Sequence, residues 1–167
     1  GVSILGPVRP ETQVELSLTD ARSIGVAAPV RESGDIAGSG ACKLVGPKGE
    51  MMVSVLGPTR SANQIELSFT DARALGLKGV PVRESGDVAG TPGLKMVGPA
   101  GEIEVSEGAI IAKRHIHMTP EDAAELGVED KQIVEVRIPT DRPVTLGDTV
   151  VRVSPKFKLA MHVDTDE

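Results

Sequence analysis

A block of about 51 residues is written twice in this chain and echoed a third time, so the chain must fold as copies of one small unit closed against each other. Ile4-Leu-Gly-Pro-Val-Arg9 returns as Val55-Leu-Gly-Pro-Thr-Arg60, and Gln13-Val-Glu-Leu-Ser17 returns as Gln64-Ile-Glu-Leu-Ser68, each displaced by 51 positions. Pro29-Val-Arg-Glu-Ser-Gly-Asp35 returns as Pro81-Val-Arg-Glu-Ser-Gly-Asp87, displaced by 52 because the second copy carries one extra residue near Gly79. The third occurrence, His115-Ile-His-Met-Thr119, lies 51 positions after Gln64 and keeps the pattern while changing the letters.

Each copy carries the same local instructions. An alternating strand runs into a hydroxyl residue, Ser17, Ser68 or Thr119, followed three positions later by Asp20, Asp71 or Asp122. That spacing predicts a helix N-cap with an acidic third residue that also complements the helix dipole. Pro120 falls at the first helical position, where its missing N–H costs nothing. Gly25, Gly76 and Gly127 then supply left-handed terminators, so the helices are only about two turns long. The remainder of each unit reads as strand, with turns expected at Gly46-Pro47-Lys48-Gly49, Gly98-Pro99-Ala100-Gly101 and Gly147-Asp148. Short strands with one small helix per unit cannot cover both faces alone. The expected fold is therefore mainly β with short α-helices: two small helix-capped β-barrels built from internal repeats. The first is expected over 1–112, from copies one and two, and a second, partial barrel over 113–167. The second is short enough to borrow a strand from elsewhere in the chain or from a partner chain.

Composition enters where it excludes functions. A net charge of −6 and a pI near 5.1 argue against a nucleic-acid backbone reader. No apolar run approaches the roughly 18 residues of a membrane span, and no secretory signal pattern opens the chain. The single cysteine, Cys42, rules out an intrachain disulfide and a thiolate metal cluster, and fits a reducing cytoplasmic setting. It takes the place of Leu94 in the other copy and reads as an inert core residue.

All three histidines fall in the third copy. Positions i and i+2 of a strand share a face, so His115 and His117 project side by side, half of a zinc site. His162 lies in the apolar strand Leu159-Ala-Met-His-Val163. Three histidines with an open fourth position are the pattern of a catalytic zinc rather than a structural one; the alternative is a pair of surface residues on an edge strand. Glu15 and Glu66 hold the place that His117 takes in the third copy, as metal ligands, as buried paired carboxylates, or as solvated strand residues. Arg9 and Arg60 precede them by six positions. A guanidinium beside a metal suits bidentate recognition of phosphate, whereas a surface arginine is the ordinary expectation. The segments at 31–35 and 83–87 read equally as anion-binding turns or as structural turns.

Leu-Gly-Pro-x-Arg, Gln-Ile-Glu-Leu-Ser, Pro-Val-Arg-Glu-Ser-Gly-Asp, Leu-Val-Gly-Pro-Lys-Gly, Arg-His-Ile-His-Met-Thr-Pro-Glu-Asp-Ala and Met-His-Val-Asp-Thr-Asp-Glu together resemble the PduL-type phosphate acyltransferases (phosphate propanoyltransferases) of bacterial microcompartments. The resemblance implies two capped β-barrels, zinc dependence, and conversion of acyl-CoA (propanoyl- or acetyl-CoA) and phosphate to acyl phosphate and CoA. It places the three-histidine zinc on His115, His117 and His162, the carboxylate ligand of a second zinc on Glu66, and the phosphate-holding arginine on Arg60. Ser85 and Ala112 lie where the family meets CoA. Microcompartment association is a further expectation, and self-association into a homo-oligomer is compatible with the partial second barrel. One departure stands out. The family opens its first barrel with His-Val-His-Leu-Ser, which supplies two ligands to the second zinc, and this chain has Gln13-Val-Glu-Leu-Ser17. The strand preceding that one in the family, and an N-terminal encapsulation helix, find no counterpart. The alternative reading is thus a non-catalytic metal-binding homologue, or a structural barrel module, natural or engineered, that has lost the second zinc site.

Overall fold

The computed structural model describes residues 13–27 and 40–167. Arg9 and the Arg31–Asp35 segment lie outside them. The described part of 10–112, together with 164–167, packs as one compact unit, and 113–163 as another.

In the larger unit the repeat becomes, among the described residues, a sheet of eight strands: β1 (Gln13–Ser17), β2 (Ala41–Val45), β3 (Glu50–Arg60), β4 (Gln64–Leu67), β5 (Val82–Arg83), β6 (Leu94–Gly98), β7 (Gly101–Val105) and β8 (Ala109–Ala112). Their order is β5-β8-β4-β1-β3-β2-β6-β7. Laid flat, the six steps from β8 to β7 would span roughly 29 Å. Yet β7 ends at Val105 and β8 starts at Ala109, a link that reaches about 14 Å at full stretch. The sheet therefore has to curl, and its inner face closes on Val14, Leu16, Leu44, Val55, Ile65 and Met96, all fully buried.

The two copies meet about a local twofold axis. Strands β1 and β4 are antiparallel with Gln13 opposite Glu66, Val14 opposite Ile65 and Glu15 opposite Gln64. The β2–β6 pair repeats this logic, with Lys43 opposite Val97, Leu44 opposite Met96 and Val45 opposite Lys95. Glu15 and Glu66 thus take equivalent places, as the duplication demands.

Helices α1 (Leu18–Ser23) and α2 (Phe69–Leu75) start at the expected caps, with Ser17 Oγ accepting from the Asp20 N–H and Ser68 Oγ from the Asp71 N–H, each at 3.1 Å. Gly25 and Gly76 adopt φ of +72° and +80° beyond them. Each helix then docks on the other copy's turn. The Lys48 N–H donates to the Leu75 carbonyl and the Ala100 N–H to the Ile24 carbonyl, both at 3.0 Å. Gly46 and Gly98 permit this approach, because a Cβ on either would strike the Leu75 or the Ile24 carbonyl oxygen respectively.

The smaller unit carries β9 (His115–Met118), α3 (Pro120–Leu126), β10 (Ile133–Ile138), β11 (Val144–Val153) and β12 (Ala160–His162), in the order β10-β11-β9-β12. Helix α3 has the full capping box: Thr119 Oγ1 accepts from the Asp122 N–H, and Asp122 Oδ2 accepts from the Thr119 N–H. Gly127 closes it at φ +66°. Ile116, Met118, Ala123 and Val151 form the core beneath.

The turn expected at Gly147-Asp148 is not one, for both residues lie inside β11. Val134 faces Thr149 and Val136 faces Leu146, so three steps on β11 oppose two on β10, which is a β-bulge with Asp148 at φ +51°. Glycine next to a short polar residue serves a bulge as readily as a turn, and the sequence signal does not separate them.

Candidate functional site

The geometry of the histidines follows from strand pairing. His115 and His117 share one face of β9, and β12 runs antiparallel along β9 with His162 directly opposite His115. The ring centroids lie 4.7 Å apart for His115 and His117, 4.8 Å for His115 and His162, and 4.5 Å for His117 and His162. One ring nitrogen from each falls within 4.8 Å of the others, and all three residues are buried. A tetrahedral zinc with bonds of about 2.0–2.1 Å holds its nitrogen ligands about 3.4 Å apart. Small ring rotations cover that difference, so the three residues fit such an ion.

Two further groups set the rings. The Nδ1 of His115 lies 2.8 Å from the Lys113 carbonyl. With Nδ1–H donating there, Nε2 is the lone-pair nitrogen, the tautomer that a metal ligand requires. Phe157 stacks on His117 with centroids 3.9 Å apart and planes 11° from parallel.

The other candidates belong to the larger unit. Gln13, Glu15, Gln64 and Glu66 are all buried and lie at alternate positions of β1 and β4, on one face of the pair. Arg60, at the end of β3, donates to Glu15 Oε1 at 2.9 Å. Gln64 is the hub: its Nε2 lies 2.9 Å from Glu66 Oε1, 2.8 Å from Ser85 Oγ and 3.4 Å from Glu15 Oε2. Its Oε1 accepts from the Gly86 N–H at 2.6 Å. The 83–87 segment is accordingly a turn bonded to the strand pair, closed by Asp87 N–H on the Glu84 carbonyl and by an Arg83–Asp87 ion pair of 3.0 Å. Ala112 ends β8, opposite Arg83 of β5. Cys42 is fully buried, and burial pushes its thiol up to about 11. Burial and a raised thiol suit the core role expected of it.

Gln64, Phe157 and the Lys113 carbonyl escaped the sequence reading. For Phe157 a signal existed: the chain has two aromatic residues, and one lies five positions before a histidine. Gln64 differs in nothing from a solvated strand residue until its neighbours are known. No helix among the described residues is long and apolar enough to cross a membrane.

Comparison with known proteins points to one family. The sequence model of the phosphate propanoyltransferase family matches in two stretches, 1–54 and 50–167, which divide near the repeat junction. The chain is similar to the phosphate propanoyltransferase of Listeria monocytogenes, at 52% identity over 125 residues, covering 74% of this chain and 58% of that protein. It is similar to that of Clostridioides difficile, at 49% over 135 residues, covering 78% and 64%. A third relative, from Leptotrichia buccalis, is 46% identical over 142 residues, covering 84% and 67%. The chain thus spans between 58% and 67% of the length of these three relatives.

Proposed function

This chain belongs to the phosphate propanoyltransferase family, and from that premise we propose that it transfers an acyl group, propanoyl or acetyl, from CoA to inorganic phosphate with zinc at His115, His117 and His162. The observation that carries the reading is the buried convergence of those three rings. In the reaction a phosphate oxygen forms a bond to the thioester carbonyl carbon, the C–S bond breaks, and CoA leaves as the thiol with acyl phosphate as the other product. Zinc, when bound, supplies a Lewis acid that polarises an oxygen of the reacting groups.

The chain's own residues hold and orient. His115 is oriented by its Nδ1–H bond, and a preset ring costs less to bring into a coordination sphere. Arg60 is assigned the phosphate. A guanidinium has five N–H donors, and its bond to Glu15 uses one nitrogen, which leaves donors for a second anion. Ser85 and Ala112 are assigned to CoA, and Glu66 to a second, carboxylate-bearing metal position. Acyl-CoA and phosphate are the partners of this reading, and microcompartment residence and homo-oligomer formation accompany it.

The test is zinc content measured beside phosphate-dependent release of CoA thiol. His117→Ala is expected to lower both, since two imidazoles hold zinc poorly. Arg60→Ala is expected to lower the rate about 100-fold with zinc content unchanged. One observation favours a second reading, a metal-binding module without catalysis: Arg60 and Glu66 are both engaged by neighbouring polar residues. Zinc-loaded protein that releases no CoA in the presence of phosphate decides for it.

A further inference from the structure

The connection between β11 and β12 has an unusual route. Strand β9 lies between them in the sheet, parallel to β11 and antiparallel to β12, so residues 154–159 must pass across the end of β9 where the chain leaves His117 and Met118. Val153 is opposite Met118 on one side, and Ala160 is opposite His117 on the other. The crossing is pinned to β9 itself, for the Ser154 N–H donates to the Met118 carbonyl at 3.0 Å. A tight turn follows, with the Phe157 N–H on the Ser154 carbonyl at 3.0 Å and the Lys156 N–H on Ser154 Oγ at 3.3 Å. The residue this turn delivers onto the face of His117 is Phe157, at 3.9 Å and nearly parallel.

We infer that Phe157 is a positioning residue for the metal centre: its ring fixes the plane of His117 and links metal binding to the order of the 154–159 crossing. This deepens the proposed function and rests on its assignment of the three histidines to a metal. The physical case has three parts. The Phe157 ring lies flat against the His117 imidazole, and a stacked ring restrains rotation of that imidazole by contact. Coordination draws electron density from an imidazole, so the attraction of its face to a phenyl π-cloud strengthens when the metal binds. By linkage, whatever the metal strengthens must in turn strengthen the metal. The apolar ring also keeps water off one face of His117. A centre open to solvent on every side would instead hold its ion by weaker, hydrated contacts.

The experiment uses the whole chain, with Zn²⁺ and Co²⁺ alone as probes, and compares the unmodified protein with Phe157→Leu and Phe157→Tyr. Affinity is read by competition with a chromophoric chelator, geometry by the visible absorption of the cobalt form, and order of the crossing by trypsin cleavage at exposed Lys156 and Lys158. Phe157→Leu is expected to bind zinc about tenfold more weakly, to change the cobalt spectrum, and to lose the protection that zinc gives against cleavage. Phe157→Tyr, which keeps the ring, is expected to restore all three. If the unmodified protein binds zinc and Phe157→Leu matches it in affinity, spectrum and cleavage, this inference is overturned and the metal assignment stands. If the unmodified protein binds neither ion, the metal assignment fails and the inference falls with it.

Discussion

A buried side chain is defined by what its polar atoms meet, and at the residue scale this decides which features could be read in advance. The His-x-His pair was legible because strand periodicity alone places both rings on one face. Arg60 was not, because its partner Glu15 lies 45 residues away in the other copy. Gln64 makes the same point more sharply, as its amide bonds to Glu15, Ser85 and Gly86 all depend on tertiary neighbours. Replacing it with methionine, similar in size but without donors or acceptors, strands the Gly86 N–H and removes the donor between Ser85 and Glu66. We expect a loss of about 2–4 kcal/mol in urea unfolding. Cys42 gives a prediction with a sign. Its folded thiol titrates near 11 against an ordinary 9.0, so the unfolded chain ionises first as pH rises. Its contribution to stability is complete below pH 9 and is lost progressively between about 9 and 11. Stability measured across that interval should fall less steeply in Cys42→Ala, and native Cys42 should resist thiol reagents at pH 8 until the chain unfolds.

At the scale of the element, the helices were legible because their caps are local chemistry: Ser17, Ser68 and Thr119 all accept from the N–H three residues on. Thr119→Ala breaks a two-way box, and we expect it to cost about 1 kcal/mol in denaturant unfolding. The bulge at Gly147-Asp148 was misread as a turn because the fault it marks lies in the pairing with β10, which a single strand's sequence does not contain. The docking of each helix onto the opposite copy was likewise out of reach, although its trace is present in Gly46 and Gly98. Gly98→Ala sets a methyl against the Ile24 carbonyl, a backbone atom with little room to move, and Gly46→Ala does the same at Leu75. Both should lower the melting temperature, by similar amounts, while Gly127→Ala, with open space at its Cβ, meets only the strain of its positive φ.

At the scale of the molecule, duplication announced a closed assembly of copies, and the curl of the eight-stranded sheet is how that closure is met. Strand order was not legible, because β1 pairs with β3 and β4 rather than with its sequence neighbour β2. The two units should also answer differently to metal. Zinc at a hundred times its dissociation constant should add about 2.7 kcal/mol to the unit that holds it. Hydrogen exchange should therefore slow in peptides from 113–163 on zinc addition, and slowing confined to those from 40–112 would place the metal elsewhere.

Where the local axis crosses the larger unit, residue identity becomes something two sites hold jointly. Val14 and Ile65 are related by the duplication, face each other across β1 and β4, and are both fully buried. A methylene can therefore pass from one partner to the other without altering the volume that the pair fills. Val14→Ile adds a carbon to a filled interior and Ile65→Val removes one, and each alone should cost about 1 kcal/mol. Made together they restore the original pair viewed from the other side of the axis, and the double variant should be nearly as stable as the parent. Sequence drift on such an axis is then free to trade places while being constrained in total, so that the two halves can lose their likeness and still keep the fit between them.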